Sequence, residues 1–167
     1  MDEIINKVAE SGLITFNLED YYPKGERILF DVKNYLFQEI ILKEKDFRTA
    51  LLNLDWTNYK DKYVAVFCST DAIVPTWAYM LVATYLEPYA KKIVFGNLTT
   101  LETILFNEAL SKINIDEYRD ERVIIKGCSQ VPVPESAYVE ITHLLKPIVK
   151  SLMFGEACST VPLYKRK

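Results

Sequence analysis

Short apolar runs alternate with amphipathic segments along the middle of the chain. A continuous apolar run is typical of a strand that is buried on both faces. Apolar residues that recur every three to four positions predict a helix with one buried face. The strand predictions fall at residues 63–68, 93–95 and 122–126, and the helix predictions at residues 77–87, 99–110 and 135–153. Three strand–helix units in succession predict a mostly parallel sheet with right-handed crossovers.

Capping and proline residues indicate where these helices begin and bend. Pro75 and Pro134 suit the first turn of a helix, and Thr99 with Glu102 has the spacing of a capping box. Pro147 falls inside the third predicted helix. Because proline removes a backbone hydrogen bond, we expect a kink there.

The first third of the chain and its last residues are less regular. Helices are predicted at residues 2–10 and 46–54, and strands at residues 13–18, 27–32 and 40–42. No Ser/Gly-rich linker divides the chain, so we expect one layered α/β domain over residues 1–167, with helices on both faces of a mixed, mostly parallel sheet. Its parts are a less regular region at residues 1–62, the strand–helix units at residues 63–153, and a tail at residues 154–167.

Composition narrows the function classes. The 167 residues are 50% hydrophobic and 26% charged. This balance is typical of a globular protein. The net charge of −3 gives no basic excess, so we expect no nucleic-acid partner. The longest apolar stretch, residues 72–86, is shorter than the roughly 20 residues of a membrane helix, so we expect no membrane partner. The N-terminus lacks a secretory pattern, which predicts a cytoplasmic protein.

The three cysteines form the one unusual constellation. Each cysteine is followed by serine, and a Val-Pro pair comes shortly afterwards. These pairs are Cys68-Ser69, Cys128-Ser129 and Cys158-Ser159. An odd number of cysteines in a reducing compartment argues against a disulfide framework, so thiols or thiolate ligands remain.

The first two cysteines fall where a predicted parallel strand ends and a helix begins. Such junctions share one edge of an α/β sheet, where ligands bind. If Cys158 folds back to that edge, then Cys68, Cys128 and Cys158 become metal ligands, for zinc or for an iron–sulfur cluster. Asp71 and the three serines would then hydrogen-bond the thiolates. His143 is not expected to complete the site, because it lies opposite the apolar stripe of its helix.

Two other interpretations stay open beside the metal site. In the first, the three cysteines are small buried hydrophobic residues of the core, as free cysteines are in many proteins. In the second, Cys68 acts as the nucleophile of a thiol enzyme at a helix N-terminus. The predicted helix at residues 77–86 carries no charge, which favours either enclosure or a contact face on a partner chain. Trp77 and Tyr79 would lie at that face, and a homodimer is one way to cover it.

Four strings carry a resemblance to a known family. The segments "SGLITFNLEDYYP", "LKEKDFR", "DKYVAVFCSTDAIVPTWAYML" and "FGEACSTVP" resemble the bacterial family called domain of unknown function 2480. That resemblance implies no catalytic residues, but it implies an association with iron–sulfur assembly genes. It therefore favours the cluster hypothesis and an iron–sulfur assembly partner.

A second resemblance concerns the order of elements. The segment "FRTALLNL", the strand "YVAVFC", an apolar helix and the strand "KIVFGN" are similar to anti-sigma-factor-antagonist (STAS-like) domains. Those domains bind partners and are not enzymes, so this resemblance implies a metal-free interaction module. Where that family carries a phosphoacceptor serine, this chain offers only Thr76. The sequence thus predicts a thiolate-site protein that handles metal or iron–sulfur, and not an enzyme, with an interaction module as the alternative.

Overall fold

The computed structural model describes residues 12–127, 130–156 and 158–167 and confirms the α/β class. In these ranges the strands are β1 (Leu13–Phe16), β2 (Arg27–Asp31), β3 (Tyr63–Phe67), β4 (Lys92–Phe95), β5 (Arg122–Ile125), β6 (Ser151–Glu156) and β7 (Ser159–Lys165). The α-helices are α1 (Glu44–Leu52), α2 (Thr76–Leu86), α3 (Leu98–Ser111) and α4 (Glu135–Leu145). Within the described ranges, every helix is too short or too polar to cross a lipid bilayer.

The strands lie in two sheets and not in one. One sheet has the order β2-β3-β4 and the other β1-β5-β6-β7. All neighbours run parallel except β6 and β7, which are antiparallel. The chain divides into a continuous unit, Lys24–Ile104, and a discontinuous unit made of Met1–Pro23 and Leu105–Lys167. The expectation of a single domain stays a prediction.

The continuous unit is built around β3. Four of its five residues are buried, as expected of a strand with neighbours on both edges and helices over it. The helix α2 buries Ala78, Val82 and Leu86, which recur every four residues along one face. The helix α1 adds Phe47 and Leu51 to the same core.

The discontinuous unit is built in the same way around β5. The helix α4 buries Ala137, Ile141 and Leu145, which recur at the same four-residue spacing. Phe106 and Leu110 of α3 belong to this core, as Phe47 and Leu51 of α1 belong to the other.

The two units repeat one local architecture at a constant spacing of 59 residues. Pro75 precedes α2 and Pro134 precedes α4. Gly96 directly follows β4 and Gly155 lies near the end of β6, and both have positive φ angles. The aligned elements are α1 with α3, β3 with β5, α2 with α4 and β4 with β6. The chain therefore contains an internal repeat.

Backbone hydrogen bonds repeat along with the elements. Asp61 has a φ angle of 60° and donates its amide to the carbonyl of Tyr89 at 3.0 Å. Asp120 has the same φ angle and donates its amide to the carbonyl of Ile148 at 2.9 Å. These bonds tie the entry of the central strand to the turn after the helix in each unit.

Each unit has its own N-terminal strand. Phe16 at the end of β1 stacks on Tyr21 with ring centroids 5.0 Å apart, and Phe30 of β2 stacks on Tyr35 at 5.1 Å. Each tyrosine is the last residue of a 3-10 turn that begins one or two residues after the strand ends. The strands β1 and β2 are therefore equivalent, although they follow one another in the sequence.

Several predicted elements are confirmed with shifted ends. The strand predictions at residues 13–18, 27–32, 63–68, 93–95 and 122–126 correspond to β1 to β5, and the helix predictions at residues 46–54, 77–87 and 99–110 to α1, α2 and α3. The helix predicted at residues 2–10 lies outside the described residues. The strand predicted at residues 40–42 is wrong, because Ile41 makes only isolated bridges, to Phe37 and Ile73.

The predictions for the last third of the chain need the largest correction. The helix predicted to reach residue 153 ends at Leu145, and residues 151–156 form β6 instead. Pro147 stops the helix, and the apolar residues beyond it belong to a strand. The tail predicted at residues 154–167 is largely β7, which pairs with β6. Gly155 makes that hairpin feasible, because a Cβ there would lie 2.5 Å from the carbonyl oxygen of Ser159.

The capping box predicted for α3 is also wrong. The side chain of Asn97 caps this helix, since its Oδ1 accepts the amide of Thr100 at 2.9 Å, as an N-cap side chain does. Glu102 does not reach back to the helix start. Its carboxylate accepts two hydrogen bonds from Arg27, at 2.5 Å and 3.2 Å.

Candidate functional site

Cys68 lies at the carboxyl end of β3, as the sequence predicts. Its side chain is half-buried, and its Sγ donates to the carbonyl oxygen of Thr70 at 3.6 Å. Asp71 is exposed in the loop that follows. It lines a shallow apolar depression that also contains Ile41 and Ile73.

The other predicted ligands are not brought to this loop by any described contact. Cys128 and Ser129 lie outside the described residues. Cys158 is exposed in the turn of the β6–β7 hairpin, and Ser159 is the first residue of β7. Among residues 12–127, 130–156 and 158–167, no group of three or more His, Cys, Asp or Glu side chains is placed to hold a metal ion. The zinc and iron–sulfur hypotheses therefore find no support in the described donor set.

The serine after Cys68 has a partner that sequence spacing does not indicate. The amide of Ser69 donates to Oδ1 of Asp31 at 3.0 Å, and its hydroxyl donates to Oδ2 at 2.5 Å. Asp31 also accepts the amide of Lys33 at 3.0 Å. Burial raises the pKa of Asp31, but these hydrogen bonds outweigh it and hold the pKa below the ordinary value of 3.8, because they stabilise the charged carboxylate.

Tyr79 connects this edge of the sheet to a groove. Burial raises the pKa of its phenol, and the proximity of Cys68 and Asp31 raises it further. Its ring meets the ring of Phe95 edge-on at a centroid distance of 5.0 Å, an arrangement that aromatic pairs favour. Tyr79 was predicted to contribute to an interaction face, and it lines an open groove.

Trp77, the other residue predicted for that face, is engaged inside the continuous unit. The ring of Phe47 meets it edge-on at 6.2 Å, and the guanidinium of Arg48 lies 5.3 Å from its centroid. Trp77 therefore belongs to the packing of α2 on α1. His143 is exposed on α4, which confirms that it lies on the outer side of its helix.

The groove next to Tyr79, which we call the edge groove, lies between α2 and the outer strand β4. Its volume is about 330 Å³. The residues that line it are Val66, Tyr79, Met80, Ala83, Ile93 and Phe95. Met80 and Phe95 are 64% and 65% exposed. Large apolar side chains that share an exposed groove are typical of contact surfaces.

The equivalent edge of the discontinuous unit is closed. There β7 pairs antiparallel with β6, with Tyr164 opposite Leu152 and Val161 opposite Phe154. Among the described residues, β4 pairs with β3 alone. One copy of the repeat thus carries an extra strand from this chain, and the other copy presents the same kind of edge without one.

Sequence reasoning missed the edge groove because it missed the internal repeat. The repeat is visible in the sequence as identical residues at one spacing. The clearest matches are Pro75 with Pro134, Ala78 with Ala137, Tyr79 with Tyr138, Pro88 with Pro147 and Gly96 with Gly155. A comparison of the chain with itself predicts two similar edges, and only the structure shows which edge is covered.

The comparisons with known proteins agree with the first resemblance. The family model described as protein of unknown function (DUF2480) matches residues 2–166. No curated protein and no solved structure matches the chain, so the STAS-like resemblance is not shown. Because the family model covers nearly the whole length, the chain belongs to the family of domain of unknown function 2480.

Proposed function

We propose that the chain is a protein-interaction module whose docking surface is the edge groove together with the outer edge of β4. The observation that carries the proposal is the difference between the two copies of the repeat. The discontinuous unit covers its edge with β7 and leaves Phe154 37% exposed, whereas the equivalent residue of the continuous unit, Phe95, is 65% exposed beside an edge to which the described residues add no strand.

The physical argument rests on the cost of an open sheet edge. An outer strand presents unpaired N–H and C=O groups, and such edges pair readily with an added strand. An apolar groove beside the edge adds burial of side chains to main-chain hydrogen bonds. Both features meet at β4, so the surface suits an extended segment that adds to the sheet and inserts side chains beside α2.

A matched pair of positions allows this proposal to be tested. Met80 on α2 and Val139 on α4 are equivalent in the repeat and similarly exposed, at 64% and 70%. We would replace each in turn by the photo-crosslinking residue p-benzoylphenylalanine in the full chain, and irradiate cells of the organism that produces it. We expect one discrete crosslinked product from position 80 and none from position 139.

A second variant makes the result specific for the edge. Phe95→Lys puts a charge on the exposed side chain of the groove, and we expect it to abolish the product from position 80. No product from position 80 overturns the proposal, as does the same product from both positions or a product that survives Phe95→Lys.

A further inference from the structure

Successive residues of β4 direct their backbone N–H and C=O groups alternately towards β3 and towards the outer side of the sheet. The amide of Gly96 donates to the carbonyl of Val66 in β3 at 3.0 Å. In a parallel strand, residues two apart direct their N–H and C=O groups to the same side. Val94 therefore faces β3 as Gly96 does, and the backbone groups of Ile93 and Phe95 are directed away from β3.

The discontinuous unit shows which neighbour such an edge accepts. Leu152 and Phe154 are the equivalents of Ile93 and Phe95, and both lie opposite residues of the antiparallel strand β7. The same geometry applied to β4 places an antiparallel strand on the outward groups of Ile93 and Phe95. Each of the two residues then gains hydrogen bonds to that strand.

The distribution of charge around the edge groove indicates which molecule supplies the added strand. The exposed positions of α2 on this side are Thr76, Met80 and Thr84, and none carries a charge. The equivalent exposed positions of α4 are Glu135, Val139 and His143. In a two-fold contact each residue near the axis meets its own copy, so a charge there would face a like charge. A charge-free face therefore suits a second copy of the chain.

We propose that two copies of the chain pair antiparallel through β4, with Val94 at the two-fold axis. Ile93 then lies opposite Phe95 of the partner subunit, and both side chains lie on the groove side of the sheet. The two three-stranded sheets become one six-stranded sheet, and the two α2 helices lie side by side on one face. This inference rests on the proposed function and names its partner.

The oligomeric state of the full chain tests the pairing. Sedimentation equilibrium over a range of concentrations is expected to show a monomer of 19.3 kDa in reversible equilibrium with a dimer. Met80→Glu brings two like charges together and is expected to raise the dimer dissociation constant by about tenfold or more. Val139→Glu is the matched control and is expected to leave the dissociation constant unchanged.

Hydrogen exchange tests the register. The amides of Ile93 and Phe95 are expected to become protected as the concentration rises through the dissociation constant. The amide of Val94 faces β3, so its protection is expected to be independent of concentration. Far-UV circular dichroism of each variant checks that the fold is retained.

Three outcomes of the sedimentation experiments would overturn the inference, and each differs from a failure of the proposed function. One is a monomer at every concentration, and another is a dimer that Met80→Glu does not weaken. The third is open-ended assembly, which would indicate head-to-tail pairing and not a two-fold contact. If position 80 crosslinks to a different protein in cells, the interaction module stands and the second copy is excluded as its partner.

Discussion

Removing one partner of the ion pair between Arg27 and Glu102 is expected to destabilise the continuous unit strongly. Arg27 opens β2 and Glu102 lies in α3, and their side chains are only 10% and 16% exposed. Two hydrogen bonds join them, and the guanidinium also donates to the carbonyl of Gly25 at 2.6 Å. It lies 5.1 Å from the ring centroid of Tyr63 as well.

Replacing Glu102 by glutamine keeps the shape of the side chain and removes its charge. Breaking a fully buried ion pair by removing one partner costs about 3–5 kcal/mol, because the other charge stays buried without compensation. Arg27 keeps the Gly25 carbonyl and some contact with solvent, so we place the loss at about 2–3 kcal/mol. The double variant Arg27→Met with Glu102→Leu is expected to recover most of the loss, since no buried charge remains.

A second Arg–Glu pair in the same unit serves as the control. Arg48 and Glu44 lie one helical turn apart in α1, at 2.9 Å, with side chains 52% and 61% exposed. Glu44→Gln is expected to cost only about 0.3–0.5 kcal/mol, as exposed helix pairs do. Urea unfolding followed by tryptophan fluorescence measures both variants, because Trp56 and Trp77 lie in this unit. The reasoning is refuted if Glu102→Gln costs no more than Glu44→Gln.

Three further predictions concern strain and titration. At Gly96 the φ angle is +136°, and a Cβ would lie 2.7 Å from the side chain of Thr100. Gly96→Ala is therefore expected to lower the free energy of unfolding by about 1–3 kcal/mol in the same urea assay. Gly12, with a φ angle of +63° and no described atom within 4 Å of an added Cβ, provides the control. It lies in the discontinuous unit, so its unfolding is followed by far-UV circular dichroism and not by tryptophan fluorescence. Gly12→Ala should cost about 1 kcal/mol, and an equal cost at both glycines would contradict the steric argument. Because the pKa of Asp31 is lowered in the fold from 3.8, its contribution to stability is present at neutral pH and is lost as the pH falls below that value. Asp31→Asn should therefore show a smaller loss of unfolding free energy on acidification, and a loss of the same size in both proteins would exclude this role. Burial, aided by a hydrogen bond with Tyr21, raises the pKa of Tyr118 from 10.0 to about 12. Stability should therefore fall as the pH rises through this interval, and Tyr118→Phe should flatten that fall in alkaline unfolding curves.

Local patterns were sufficient to predict the centre of the chain. The strands β3, β4 and β5 are short apolar runs, and prolines mark the starts of α2 and α4. These features act over a few residues, so a single sequence carries them. The exposure of His143 followed from helical periodicity in the same way.

The predictions that depend on distant partners were the ones that went wrong. Leu152 continues the helical stripe of α4 by spacing alone, yet it lies in β6, where β5 supplies a partner strand. Pro147 ends the helix before Leu152 is reached. Glu102 has the position of a capping residue, but the buried guanidinium of Arg27 binds its carboxylate. For Glu102 a non-local contact decides between two local possibilities, and for Leu152 the partner strand β5 acts together with the local effect of Pro147.

In the candidate site, too, local features could be predicted from the sequence and non-local contacts could not. The position of Cys68 at a strand end was predictable, while the pairing of Ser69 with Asp31 joins the ends of two strands and is not indicated by spacing. The absence of charge predicted that α2 is either enclosed or used as a contact face; Met80 of α2 is exposed, and the contact stays a prediction. Whether that face is covered depends on the strand order, which a single sequence does not reveal.

The discontinuous unit also sets an order in which the protein can fold during synthesis. Its first strand, β1, is made before the whole of the continuous unit, but Leu13 pairs with Arg122 on β5, far along the chain. The continuous unit has all its residues in one stretch of the chain. It can therefore fold while the ribosome still makes residues 105–167. During that interval β1 has no partner strand. A chain released early would therefore carry a finished continuous unit beside an unpaired strand, and such edges favour aggregation.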